Sequence, residues 1–109
     1  MAAPNKDYWA YWDKSNENSH ESIDHSRWSS ILQTYVIDNH PSGVNRFKYS
    51  AVSSKNKKNL HRYIKTLEKI DPRRYNRREQ KAYWLNLYNA VTVKLVLDNY
   101  PIKSMKDIG

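Results

Sequence analysis

Apolar residues recur along this chain at helical spacing in three places. After Asp24, Trp28, Ile31, Leu32, Tyr35 and Val36 fall at i, i+3, i+4, i+7 and i+8. That spacing puts them on one face of a helix, with Asp24 as its cap. Asn39-His40-Pro41-Ser42-Gly43 then predicts a stop, because Pro and Gly punctuate helices. A second stripe, Leu60, Tyr63, Ile64, Leu67 and Ile70, follows Ser53 and Ser54, either of which can cap it. Asp71-Pro72 ends it, since the residue before Pro is pushed out of the α region.

The third stretch is the longest. Asn76-Arg77-Arg78-Glu79 reads as a capping box, and the helix is expected to run from about Arg77 to Asn99. Asn86, Asn89, Ala90, Val93 and Leu97 share one face at 100° per residue, while Trp84, Leu85, Tyr88, Leu95 and Val96 cover most of the others. A helix apolar nearly all round is expected to be central and surrounded.

Between the first two helices, Val44 to Val52 alternates imperfectly, with Phe47, Tyr49 and Ala51 on one side, and predicts a short extended strap. At the N-terminus, Asp7-Tyr8-Trp9-Ala10-Tyr11-Trp12 is an aromatic arm, followed by a polar linker, Asp13 to Ser22. The arm either docks on the core or offers a stacking surface. The expected fold is all-α: a small bundle of about three main helices with the strap and the arm. Residues 1–23 form the arm and linker, and residues 24–109 the helical portion.

Composition narrows the function classes. At 109 residues and 28% charged, with a mean hydropathy of −0.99, the chain suits one small domain. No run is apolar and long enough to cross a membrane as a helix. Zero cysteine excludes thiolate metal sites and a Cys nucleophile within these residues. His20, His25, His40 and His61 make no metal-ligand spacing, and no metal or cofactor is expected. No phosphate-binding glycine loop exists, since the only glycines are Gly43 and Gly109.

The charge is uneven. The net charge of +8 resides in residues 55–81, where eleven cations face Glu68, Asp71 and Glu79. Lys57, Lys58, Arg62, Lys65 and Lys69 lie on the second helix, and Arg73, Arg74, Arg77 and Arg78 in the turn beyond. Two readings compete. One is a solvated helix face; the other is a binding site for nucleic acid, anionic lipid or polysaccharide.

Asn86 and Asn89, flanked by Trp84 and Tyr88, form the candidate polar site. If buried, their amides need partners, because an unsatisfied buried amide costs ~1–3 kcal/mol. They either lock a core network or orient a catalytic imidazole or substrate carbonyl. Trp84 and Tyr88 at helical spacing read first as core aromatics and second as a stacking platform. The catalytic residues are unknown.

The block Ala82-Tyr83-Trp84-Leu85-Asn86-Leu87-Tyr88-Asn89-Ala90 carries a family resemblance. It is joined by Asp71-Pro72, Thr92-Val93, Tyr100-Pro101-Ile102-Lys103-Ser104 and Asp107-Ile108-Gly109. With Trp28, Leu32, Tyr35 and Val36 upstream, residues 24–109 resemble the family called domain of unknown function 547. Members of that family are often bacterial proteins with export signals, and others are plant proteins with an added coiled coil. The resemblance thus favours a periplasmic or extracellular location and leaves a cytoplasmic one open. It also implies a domain that continues past Gly109 into a part bearing His and Cys. On that view this chain is the N-terminal helical half of a hydrolase-like domain, not catalytic by itself. The C-terminal part would pack on helix 77–99. The alternatives are an anion-binding module and a purely structural or protein-interaction domain.

Overall fold

The computed structural model describes residues 13–37 and 46–100. The aromatic arm at 7–12, the stop at 39–43 and the tail from Pro101 lie outside the described residues.

Three helices dominate: α1 (Ser26–Tyr35), α2 (Ser54–Glu68) and α3 (Arg77–Asp98). The bundle is mostly helical, as the periodicity predicts. Helix α2 is the middle layer, packed against α1 on one side and α3 on the other.

Each helix starts where the side-chain chemistry allows. The Ser53 hydroxyl accepts from the Asn56 N–H at 3.1 Å, and the Asn76 carbonyl oxygen accepts from the Glu79 N–H at 2.9 Å. Both satisfy amides that the first turn leaves without partners. Asp24 works one residue further upstream than expected. His25 is the N-cap and has no capping bond, while the Asp24 carboxylate takes the Ser26 N–H at 2.8 Å.

Two expectations are corrected. Helix α1 stops at Tyr35, and Val36 begins a strand instead of ending the stripe. That strand, β1 (Val36–Ile37), pairs antiparallel with β2 (Arg46–Phe47), Val36 opposite Phe47. The extended strap is thus one short strand; Tyr49–Ala51 winds into a single 3-10 turn. A β-branched Val-Ile pair beside a ready partner gains more from the ladder than from another helical turn.

The core is continuous. Ile23, Trp28, Ile31 and Tyr35 meet Leu60, Tyr63, Ile64 and Leu67, and these meet Tyr83, Ala90, Val93 and Leu97. Leu67 is fully buried. Polar pins cross the layers. The Tyr35 hydroxyl accepts from Asn56 Nδ2 at 2.7 Å and from the Ser53 N–H at 3.2 Å, tying α1 to the start of α2. The Tyr83 hydroxyl donates to the Leu67 carbonyl at 2.8 Å, tying α3 to the end of α2.

The polar linker is bonded to the fold. The Asn16 N–H donates to the Tyr75 carbonyl at 2.9 Å, and Asn76 Nδ2 donates to the Ser19 carbonyl at 3.2 Å. Gln80, only 7% exposed, is the hub. Its Nε2 donates to the carbonyls of Lys14 at 2.6 Å, Pro72 at 2.9 Å and Tyr75 at 3.3 Å.

Candidate functional site

Helix α3 is not surrounded, and this corrects the expectation drawn from its composition. One side is core: Tyr83, Ala90, Val93 and Leu97. The other exposes Trp84 by 46%, Leu85 by 58%, Tyr88 by 71%, Val91 by 44% and Leu95 by 44%. Trp84, Tyr88, Val91 and Leu95 stand at i, i+4, i+7 and i+11. At 100° per residue they fall within about 60° of one another, a narrow stripe with Leu85 on its rim. Spacings of four, three and four are those of a helix that receives another helix. Trp84 also meets Tyr83 edge-on, ring centres 4.9 Å apart.

The asparagine pair changes meaning in this setting. Asn86 is half-buried on the core-facing side of α3, in angle between Val93 and Leu97, and Asn89 is exposed at the flank of that side. Among the described residues neither side chain has a hydrogen-bond partner. Without such partners they form no polar network in the core among the described residues. Trp84 and Tyr88 are outward aromatics, not core ones.

The structure divides the basic segment in two. On α2, Lys58, Arg62, Lys65 and Lys69 recur at i, i+4, i+7 and i+11 and are all exposed. Lys65 makes a loose pair with Glu68 at 3.4 Å. Two arginines of the turn, Arg73 and Arg77, are tied to the fold's own acids. Arg73 grips Asp71 with two bonds, Nε to Oδ1 at 2.9 Å and Nη2 to Oδ2 at 2.8 Å. That guanidinium is the main reason the Asp71 carboxyl lies below its usual range. Arg77 pairs with Asp13 at 2.8 Å, and its N–H donates to the Glu17 carboxylate at 3.1 Å. Arg74 and Arg78 have no ion pair among the described residues; Arg74 lines one surface pocket together with Glu21, and Arg78 another together with Glu21 and Glu79.

Between α2 and α3 lies an open cleft of about 300 Å³. Lys57, Lys58, His61 and Arg62 line it from α2, Lys94 and Asp98 from α3, with Leu60 and Leu97 at its base. Lys94 and Asp98 pair at 2.6 Å and neutralise each other. Lys57, Lys58 and Arg62 have no ion pair among the described residues, so the cleft is positive. Lys94 and His61 were not singled out by the sequence reading. The cue is spacing: Lys94 lies one residue after the core position Val93, and Asp98 one after Leu97.

The remaining titratable cluster is internal. His25 Nδ1 lies 2.6 Å from the Tyr63 hydroxyl, and Trp28 stacks on Tyr63 with ring centres 6.3 Å apart. His25 Nε2 is buried with no hydrogen-bond partner. Burial lowers the His25 pKa, against the opposing charges of Glu79 and Asp24. Burial, then the Asp24 charge, pushes Tyr63 up to about 12. No group of His, Asp or Glu among the described residues is arranged to hold a metal ion. Among those residues no helix is long and apolar enough to cross a membrane.

No protein-family model, curated protein or solved structure matches this chain.

Proposed function

We propose that this chain is a docking scaffold, the helical portion of a larger domain whose further element seats on the outer face of α3. The observation that carries this reading is the stripe Trp84, Tyr88, Val91 and Leu95, on a protein whose other helices bury their apolar residues. A contiguous apolar surface rimmed by polar residues marks an interaction site. The resemblance of Ala82–Ala90 to domain of unknown function 547 supports the same reading, with the hydrolase-like chemistry supplied from the docked part. In that arrangement the stripe itself forms the seam, while Asn86 lies on the opposite, core-facing side of α3 and Asn89 at its flank.

A neutral solvatochromic dye such as Nile red tests the exposed face without responding to the positive charge. Bright binding is expected. The double variant Tyr88→Lys, Leu95→Lys should abolish it while the circular dichroism stays helical. Absence of dye binding, together with a sharp cooperative melt, overturns the reading.

A second reading has its own observation. The exposed cations of α2 and the positive cleft favour an anionic partner, held chiefly by charge. Retention on a heparin column that weakens steeply with salt is expected; passage at low salt without delay removes this reading.

A further inference from the structure

The anionic-partner reading leaves the chemistry of the anion open, and the inference that follows rests on that reading. The cleft between α2 and α3 and the stripe of cations beside it share residues. Lys58 and Arg62 line the cleft and also begin the row that continues with Lys65 and Lys69. Eleven residues of helix place the ends of that row about 16 Å apart. The surface is a positive pocket opening onto a positive rail.

The lining narrows the ligand. Leu60 and Leu97 are almost wholly buried, and the surface between the charged heads is mostly apolar without being aromatic. No Trp, Tyr or Phe lines the cleft, so it has no platform on which a base or sugar ring would stack in the usual manner. What faces an occupant is two ammonium groups, a guanidinium fork and an imidazole, from Lys57, Lys58, Arg62 and His61. Planar fork plus point charges is the donor set that holds tetrahedral phosphate oxygens. The Asp98 carboxylate also lines the cleft, at its α3 wall, where Lys94 neutralises it.

We propose that the α2–α3 cleft anchors a phosphate group of a linear phosphate polymer, whose following phosphates run along Lys65 and Lys69. Recognition is by phosphate alone, so the ligand is either inorganic polyphosphate or a nucleic-acid backbone bound without regard to base sequence. The Arg73–Arg78 turn is assigned no part. Arg73 and Arg77 are engaged with Asp71 and Asp13. Arg74 and Arg78, exposed and without an ion pair among the described residues, lie apart from the cleft and serve as its comparison.

The test uses the 109-residue chain and a fluorescein-labelled DNA duplex of arbitrary sequence, followed by anisotropy from 50 to 200 mM salt. Four or so phosphate contacts predict a log–log slope near −3.6, at about −0.9 per phosphate. Lys57→Glu, Lys58→Glu, Arg62→Glu together should lower affinity at least about tenfold and flatten the slope, whereas Arg74→Glu, Arg78→Glu should change it less than about twofold. Lys57→Gln, Lys58→Gln, Arg62→Gln is the milder companion, and circular dichroism checks the fold of each. Competition by inorganic polyphosphate and by a duplex of unrelated sequence distinguishes the two phosphate sources. If fluorescein-labelled heparin binds while the labelled duplex and inorganic polyphosphate do not, the anion is sulfated and the inference falls while the anionic-partner reading stands. Equal losses from the cleft and the turn variants likewise overturn the cleft and leave only diffuse charge. If the chain binds no polyanion at 50 mM salt, both readings fall.

Discussion

His25 Nδ1 and the Tyr63 hydroxyl meet at 2.6 Å across the junction of α1 and α2, with the other imidazole nitrogen buried and without a hydrogen-bond partner. The pair holds the start of α1 against the middle of α2, but it admits only a neutral imidazole comfortably. Burial is the largest influence and lowers the His25 pKa below 6.5. The unfolded chain therefore takes up a proton before the folded one does.

The sign of the pH effect follows. Above about pH 7 neither state protonates His25, and this group leaves stability flat. As pH falls from about 6.5 toward the lower folded pKa, only the unfolded state gains the proton, and stability is lost. The melting temperature should drop between pH 7 and 5. His25→Gln, which can still bond Tyr63, should flatten that drop. An unchanged pH profile in the variant would show that the drop originates elsewhere.

Gln80→Ala should destabilise by roughly 1–3 kcal/mol, since it removes the donor shared by the carbonyls of Lys14, Pro72 and Tyr75. The Tyr75 carbonyl keeps the Asn16 N–H and the Pro72 carbonyl the Tyr75 N–H, so the Lys14 carbonyl is the one left open. A chemical-denaturation midpoint measures it. A loss below about 0.5 kcal/mol would mean that water replaces the amide without penalty.

Leu67 and Tyr83 separate packing from hydrogen bonding at one place. Leu67→Ala empties the most buried core position and should cost about 2–5 kcal/mol. Tyr83→Phe removes only the bond to the Leu67 carbonyl and should cost about 1 kcal/mol. If Tyr83→Phe costs as much as Leu67→Ala, the hydroxyl does more than close one carbonyl.

Asn89→Ala should leave the stability of this chain within about 0.5 kcal/mol, as substitutions at exposed positions do. Asn86→Ala, half-buried but without a hydrogen-bond partner among the described residues, should cost at most about 1 kcal/mol. A larger loss in thermal melts would mean that these amides have partners in solution that the fold described above does not give them.

Much of this architecture is legible in the residues. Ser53 and Asn76 mark the starts of α2 and α3, because a short polar side chain before an apolar stripe has one obvious use. Leu60, Tyr63, Ile64 and Leu67 mark the buried side of α2 for the same geometric reason. Periodicity fails where a helix is apolar on more than one side. The residues of α3 show that both faces avoid water; they do not show which face the chain itself can cover. Trp84 and Tyr88 on one side and Val93 and Leu97 on the other are equivalent until α2 takes a side. Charge is similarly ambiguous. Arg62 and Arg77 look alike along the chain, but the acid that neutralises Arg77 is Asp13, 64 residues away. Gln80 escapes for the same reason, its closest partner being the carbonyl of Lys14.

Those long separations also order the assembly in time. Tyr83 finds Leu67 across 16 residues, whereas Gln80 must wait for Lys14 across 66. Closing the larger loop costs more chain entropy and returns polar contacts to Gln80 in place of apolar packing. The α2–α3 hairpin is therefore the natural nucleus, and residues 13–19 are the last to fasten and the first to release. In hydrogen exchange, the amide of Asn16 should trade its proton through local detachment long before the amides beneath Leu67 do so through global unfolding.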